Sequence, residues 1–181
     1  MNPKDMNLSK VKLLPEGGLR VNYQINNVVE GEVSVIDRDE TCDREIHPDL
    51  RGLFEDLRPI VARCFNMTTF LTLLEVERVG EGFKVAARQY ADELLKKIEV
   101  RGVSWSGTDE NVGVVLTAVV ETPNGLKAAV NTPRIKVAQI SFGFEEELEK
   151  ITDAIRGEVY QYLFEGKQAQ LSLFGQNSSD E

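Results

Sequence analysis

Histidine is nearly absent from this chain: His47 is the single one in 181 residues. That excludes most histidine-based metal centres and makes any Ser-His-Asp triad depend on one residue. His47 precedes Pro48 at an expected helix start, so its residue type and place point to capping rather than catalysis. Cysteine is almost as scarce. Cys42 and Cys64 form no CxxC and no metal-ligand spacing, which argues against a disulfide framework or a zinc site. Cys64 falls on the apolar face of an expected helix and reads as a buried small side chain. Basic residues are in deficit, 21 Lys and Arg against 30 Asp and Glu, for a net charge of −9. A surface with that balance opposes nonspecific binding to phosphate backbones. Two small basic groups remain, Lys96, Lys97 and Arg101, and Lys127, Arg134 and Lys136; they read as solvated strand residues. No apolar run approaches the ~20 residues that span a bilayer. Met1 to Lys10 has no apolar core of the secretory kind, so the expected location is the cytoplasm, with no membrane partner. A Walker A pattern and a nucleotide-binding GxGxxG are both missing, and no cofactor is expected.

The pattern that is present reads as α+β. Apolar residues make up 41% of the chain, enough for one compact domain. Val11 and Leu13 alternate with lysines, Pro15-Glu16-Gly17-Gly18 is a turn, and Leu19, Val21, Tyr23 and Ile25 keep a period of two. Val33 and Val35 begin a third strand. Asp37 to Glu45 reads as an acidic loop. His47-Pro48-Asp49-Leu50 opens a helix: Pro48 suits its first turn and Asp49 suits the positive end of its dipole. Leu50, Leu53, Phe54, Leu57, Val61 and Cys64 share one face, and Pro59 is expected to kink or end the helix near Leu57. Residues 66–95 are the least legible. Thr68 to Val79 fits helix or strand, Gly80-Glu81-Gly82 reads as a break, and Val85 to Lys97 leans helical.

Strands return after residue 97. Ile98 and Val100 face one way, Val103 and Trp105 continue out of phase, and Gly102 at the slip marks a β-bulge. Gly113 to Val120 is almost wholly apolar, as in a central strand covered on both faces. Thr122-Pro123-Asn124-Gly125 is a hairpin turn, and Pro133 makes Asn131 to Val137 an edge or bent continuation. The last helix is the clearest. Leu148, Ile151, Ile155, Val159 and Tyr162 recur at three- and four-residue spacing, Glu145, Glu146 and Glu147 load its first turn, and Gly166 is placed to end it. The expected order is βββα–βββα, with two amphipathic helices covering a mainly antiparallel sheet. Leu53, Leu57, Ile151 and Ile155 are expected to be buried. Residues 1–166 then form one α+β domain, and 167–181 a flexible, disordered tail whose composition is too polar to pack.

Three candidate chemistries sit on this frame. Asp37, Asp39, Glu40, Asp43, Glu45 and Asp49 are the densest acidic patch. A Mg²⁺ nuclease needs such carboxylates to converge from fixed strands, whereas these crowd one expected loop. Trp105, Phe142 and Phe144 have the type to stack bases but read as buried. The third is Gln170-Leu171-Ser172-Leu173-Phe174, two leucines and a phenylalanine on a segment with no core of its own. By average usage such a pentapeptide arises by chance in roughly one chain of this size in a few thousand.

These five residues resemble the pentapeptide by which bacterial polymerases, repair proteins and some phage proteins dock on the replicative sliding clamp: Gln-Leu, then Ser or Asp, then Leu-Phe. All five positions match. The resemblance implies a partner, the clamp, and the binding residues Gln170, Leu171, Ser172, Leu173 and Phe174; it does not bear on what the folded body does, for which the residues themselves lead us to expect no catalytic and no metal-binding site. Leu173 and Phe174 would fill an apolar pocket, Leu171 cover its rim, and the Gln170 amide fix orientation. The chain as a whole is also similar to a group of phage and prophage proteins that share a His-Pro-Asp-Leu helix start (47–50), a Tyr-Leu-Phe-Glu-Gly-Lys-Gln helix end (162–168) and a clamp-type tail. The expected role is a non-enzymatic accessory protein of phage or bacterial DNA replication or recombination, held at DNA by the clamp and touching nucleic acid indirectly if at all. The alternatives are a clamp-tethered Mg²⁺-dependent nuclease and an interaction or sequestering module that counters host defence.

Overall fold

The computed structural model describes residues 6–29, 32–68, 80–108, 111–122, 124–136 and 143–167. Three strands come first: β1 (Met6–Leu13), β2 (Leu19–Val29) and β3 (Glu32–Cys42). Three helices follow: α1 (Pro48–Asp56), α2 (Arg58–Cys64) and α3 (Glu81–Lys96). The chain then returns to strands, β4 (Ile98–Ser106), β5 (Gly113–Glu121), β6 (Lys127–Asn131) and the short β7 (Ile135–Lys136), before the long α4 (Glu145–Phe164). The fold is α+β, and its strand pairings are antiparallel.

The strand order is β3-β2-β1-β4-β5-β6, with β7 on β5. Each half of the sheet is therefore a meander, and the two meet through their first strands, β1 and β4. Along β1 to β5 the inward side chains alternate: Val11, Val21 and Tyr23 in the first half, Val103, Leu116 and Ala118 in the second. They form one core with Leu50, Phe54, Leu57, Ile60 and Val61 of the α1–α2 region and with Leu148, Ile155 and Val159 of α4. Each such side chain fully removed from water contributes roughly 1.5–3 kcal/mol before entropy is counted.

The expected βββα–βββα order with two helices holds only in outline. Pro59 divides the first helix, which ends at Asp56 and restarts as α2 at Arg58 through the αR residue Leu57. Of Gly80-Glu81-Gly82, read as a break, Gly80 stands outside regular structure and caps α3 in extended conformation, while Glu81 and Gly82 already lie in the first turn of the helix. Helices α2 and α3 thus stand between the meanders in addition to the two helices of the expected order; α3 covers nearly all of Val85 to Lys97, the stretch that leans helical in the sequence. Residues 69–79, within the stretch left open above, lie outside the described residues.

The acidic segment is a second correction. Asp37, Asp39 and Glu40 do not sit on a loop but continue β3 against β2. Polar side chains on β2 make this possible. The Arg20 guanidinium donates to both oxygens of Asp39 at 3.0 and 2.7 Å, Gln24 donates to Asp37 at 2.8 Å, and the Tyr23 hydroxyl donates to Glu40 at 2.9 Å. Cross-strand partners of this kind stabilise a strand that has few apolar residues.

The bulge at Gly102 is present: the β4–β5 register shifts between Val100 and Gly102. A Cβ there would lie 3.3 Å from the Val11 carbonyl oxygen, so glycine lets β1 approach β4. On β5, Val114, Leu116 and Ala118 are buried, whereas Val115, Thr117 and Val119 are half-buried. The run is not covered equally on both faces as its composition predicted, because the helical layer packs on the face shared by Val114, Leu116 and Ala118.

Candidate functional site

Gln170, Leu171, Ser172, Leu173 and Phe174 lie outside the described residues, so what the structure contributes is the place from which they leave the body. Helix α4 ends at Phe164, and Gly166 turns the chain with φ 72°. A residue with a side chain adopts that angle reluctantly, and glycine at this position ends helices by redirecting the backbone. The Lys167 N–H then donates back to the Gln161 carbonyl at 3.2 Å. The Lys167 ammonium reaches Glu158 at 2.7 Å and Asp49 at 2.9 Å. Lys167, the first residue of the segment expected to be a free tail, is thus fastened between the start of α1 and the last turns of α4.

Asp49 belongs to a small cluster. The Nδ1 of His47 accepts the Asp49 N–H at 3.2 Å, which makes His47 the side-chain cap of α1, as expected from the sequence. Ligand-type atoms of His47, Asp49 and Glu158 lie within 4.8 Å of one another. The positive charge between the two carboxylates is Lys167. Its ammonium, through a hydrogen bond and its charge, holds the Asp49 carboxyl below the usual carboxylate range; Glu158 first and Asp49 second push the Lys167 amine above its ordinary value. The sign follows for the pH dependence. A depressed Asp49 leaves the contact complete above the ordinary aspartate pKa, and it is lost as the pH falls through the lower folded value. Lys167→Gln is expected to return Asp49 toward its ordinary titration, read from the side-chain carboxyl resonance; an unmoved Asp49 would contradict this arrangement. Both groups are solvated, so the melting temperature should hardly change.

The remaining acidic residues do not converge. Paired residues share a face, so Asp37 and Asp39 lie with Gln24 and Asn22 while Glu40 lies with Val21 on the other side of the sheet. Glu45 stands 3.8 Å from Arg51. The α4 glutamates act at the helix start: the Glu145 carboxylate accepts the Phe144 N–H at 2.9 Å, and Glu147 approaches Arg63 at 3.4 Å. Three of the six basic residues are also engaged. Lys96 pairs with Glu93 and Arg101 with Glu99. The Arg134 guanidinium donates to the Ser106 hydroxyl and carbonyl at 2.9 Å and to the Asn111 carbonyl, tying two loops together. Trp105 and Phe144 are buried, and Arg156 lies over the Trp105 ring at 5.0 Å; Phe142 lies outside the described residues. Burial, with a bond to Glu40, pushes the Tyr23 phenol up to about 12, so it is a neutral structural donor.

What the sequence did not disclose is a groove of about 590 Å³ where α1, α3 and α4 approach. Leu53 and Ile151, expected to be buried with Leu57 and Ile155, are only half-buried and line it with Leu95, Pro59 and Ala154. They stand at the edge of each helix's apolar stripe, where spacing alone does not separate core from rim. Charged residues of both signs, among them Arg58, Lys150, Asp56 and Asp92, border it. No family model, no curated protein and no solved structure matches the chain.

Proposed function

We propose that this protein is a non-enzymatic accessory factor that binds the bacterial sliding clamp through Gln170–Phe174, its folded body being the cargo that the clamp brings to replicating DNA. The observation that carries this reading is the five-for-five match of the segment to the clamp-docking consensus. Two features support it. The described chain ends just beyond α4, past the exposed turn at Glu165 and Gly166. The net charge of −9 opposes nonspecific binding to phosphate backbones, and tethering supplies the local concentration that a basic surface would otherwise provide.

Three apolar side chains at roughly 1.5–3 kcal/mol each, less the ordering of the segment, correspond to micromolar binding. That strength fits a reversible tether, and equally a competitor for the pocket that polymerases use. Ser172→Asp is expected to leave the affinity within a few-fold, since the consensus takes either residue. In the free protein, without a partner, the amides of Leu171 to Phe174 should exchange fast, and strong protection there would contradict a segment that waits for the clamp. The body is expected to bind no divalent cation stoichiometrically. Calorimetric titration with Mg²⁺ or Mn²⁺ checks this, and tight binding that disappears in Asp39→Ala or Asp43→Ala would favour the nuclease alternative. Among the described residues, no helix is long and apolar enough to cross a membrane.

A further inference from the structure

The core that joins the helices to the sheet uses one face of the strands. On β1, Val11 is fully buried on that face, while Lys10 and Lys12 on either side of it point to the opposite face and are exposed. The register sets Arg20 of β2 and Gly102 of β4 beside Lys12, and Asn22 and Ser104 beside Lys10. Arg101, at the bulge next to Gly102, bonds Glu99 at 2.8 Å. Lys10 and Lys12 are about 7 Å apart along the strand, at ~3.3 Å per residue. Asp37, Asp39 and Glu99 share this face but are taken up by the Gln24 amide, Arg20 and Arg101, and Glu121 stands opposite Lys127 at its far side. The charge of Lys10 helps to lower the Asp39 carboxyl, after the hydrogen bond and charge of Arg20. Neither Lys10 nor Lys12 forms an ion pair among the described residues.

We propose that this open sheet face, centred on Lys10 and Lys12, holds single-stranded DNA by its phosphates. The inference deepens the tether reading, because it names what the body touches once the clamp has placed it. The chain carries −9 overall, yet β1, at the middle of the sheet, has two lysines and no carboxylate, with an arginine on each side. Two free charges spaced along a strand complement the repeated phosphates of an extended nucleic-acid strand, and Asn22 and Ser104 beside them offer neutral hydrogen-bonding groups for sugars and base edges. The aromatic residues of the described strands, Tyr23 and Trp105, are buried on the other face. Stacking therefore adds nothing, and the binding is weak, blind to sequence and dependent on salt. Weak binding is enough at a tether, where the local concentration is on the order of millimolar. An acidic extended peptide would find the same lysines, but such peptides dock by backbone pairing at a sheet's edge, and β1 lies between β2 and β4. The cations come from strands far apart in sequence, so no basic run announces them.

The test contains no clamp, so it fails separately from the clamp reading. Full-length protein is titrated at low salt with oligo-dT of about 12 nucleotides, a length that one strand-binding face can cover, and the amide resonances are followed. Shifts are expected at Lys10, Lys12, Asn22 and Ser104 and not along the four helices. Lys10→Gln with Lys12→Gln is expected to weaken binding at least about tenfold and to make the salt slope shallower by roughly 1.4, the counterions of two single-strand phosphate contacts. Both positions are exposed, so the melting temperature of this variant should stay near that of the wild type. No shifts on this face in the wild type would overturn the proposal, whatever the variant does. A poly-glutamate peptide, or a duplex of the same length, bound as tightly as the oligonucleotide would also overturn it, since the face would then not be built for a single strand.

Discussion

Ile155→Asp is expected to lower the stability of the body by roughly 3–5 kcal/mol, the cost of an unpaired carboxylate in a fully buried apolar site. Ile155 is fully buried at 0% exposure, in one cluster with Leu148 and Val159 of α4 and the inward strand residues Val103 and Leu116. A domain of this size typically has only ~5–15 kcal/mol in total, so the transition should fall on the order of 10 °C or more. Ile155→Val, which removes one methylene at the same point, is expected to cost only about 0.5–1.5 kcal/mol. Ile151→Asp, one turn earlier on the groove side of α4, should cost much less than Ile155→Asp because its side chain keeps contact with water. The ranking is measured by thermal or urea unfolding of the three variants. Equal effects at 151 and 155 would mean that the helix face is wrongly assigned.

The same two residues show what the sequence made legible. The spacing of Leu148, Ile155 and Val159, the glutamates of the first turn and Gly166 at the end are all local signals, and α4 follows them. The strands β1 and β2 and the bulge at Gly102 were readable for the same reason: period two, and a glycine at the slip. β3 was not, beyond its first residues. Its acids alternate with Arg38 and Thr41 rather than with apolar side chains, and they become a strand only because Arg20, Gln24 and Tyr23 wait on β2. Composition alone reads such a stretch as loop. The Lys167–Asp49 contact joins residues 118 apart in sequence, and no local pattern announces it. The groove is the converse case. Leu53 and Ile151 carry the right spacing for the core, but whether a stripe's edge is covered depends on how α3 packs beside it. For Gln170–Phe174 the position is different again: those residues lie outside the described structure, and the functional reading stands on their sequence and on the place where the body ends.

The account therefore stands most directly on one binding measurement. Full-length protein is titrated against a bacterial sliding clamp, beside L173A/F174A and a peptide of residues 166–176. Leu173 and Phe174 supply most of the apolar area that the motif can bury, and such anchors dominate small interfaces. Micromolar binding by the wild type and by the peptide is expected, with a loss of at least about 100-fold in the double mutant, some 2.7 kcal/mol. The double mutant's melting temperature should remain near that of the wild type, since neither residue belongs to the described core. No binding by the wild type to the clamp of its own host, or undiminished binding by L173A/F174A, would contradict the proposal that this protein acts through the clamp.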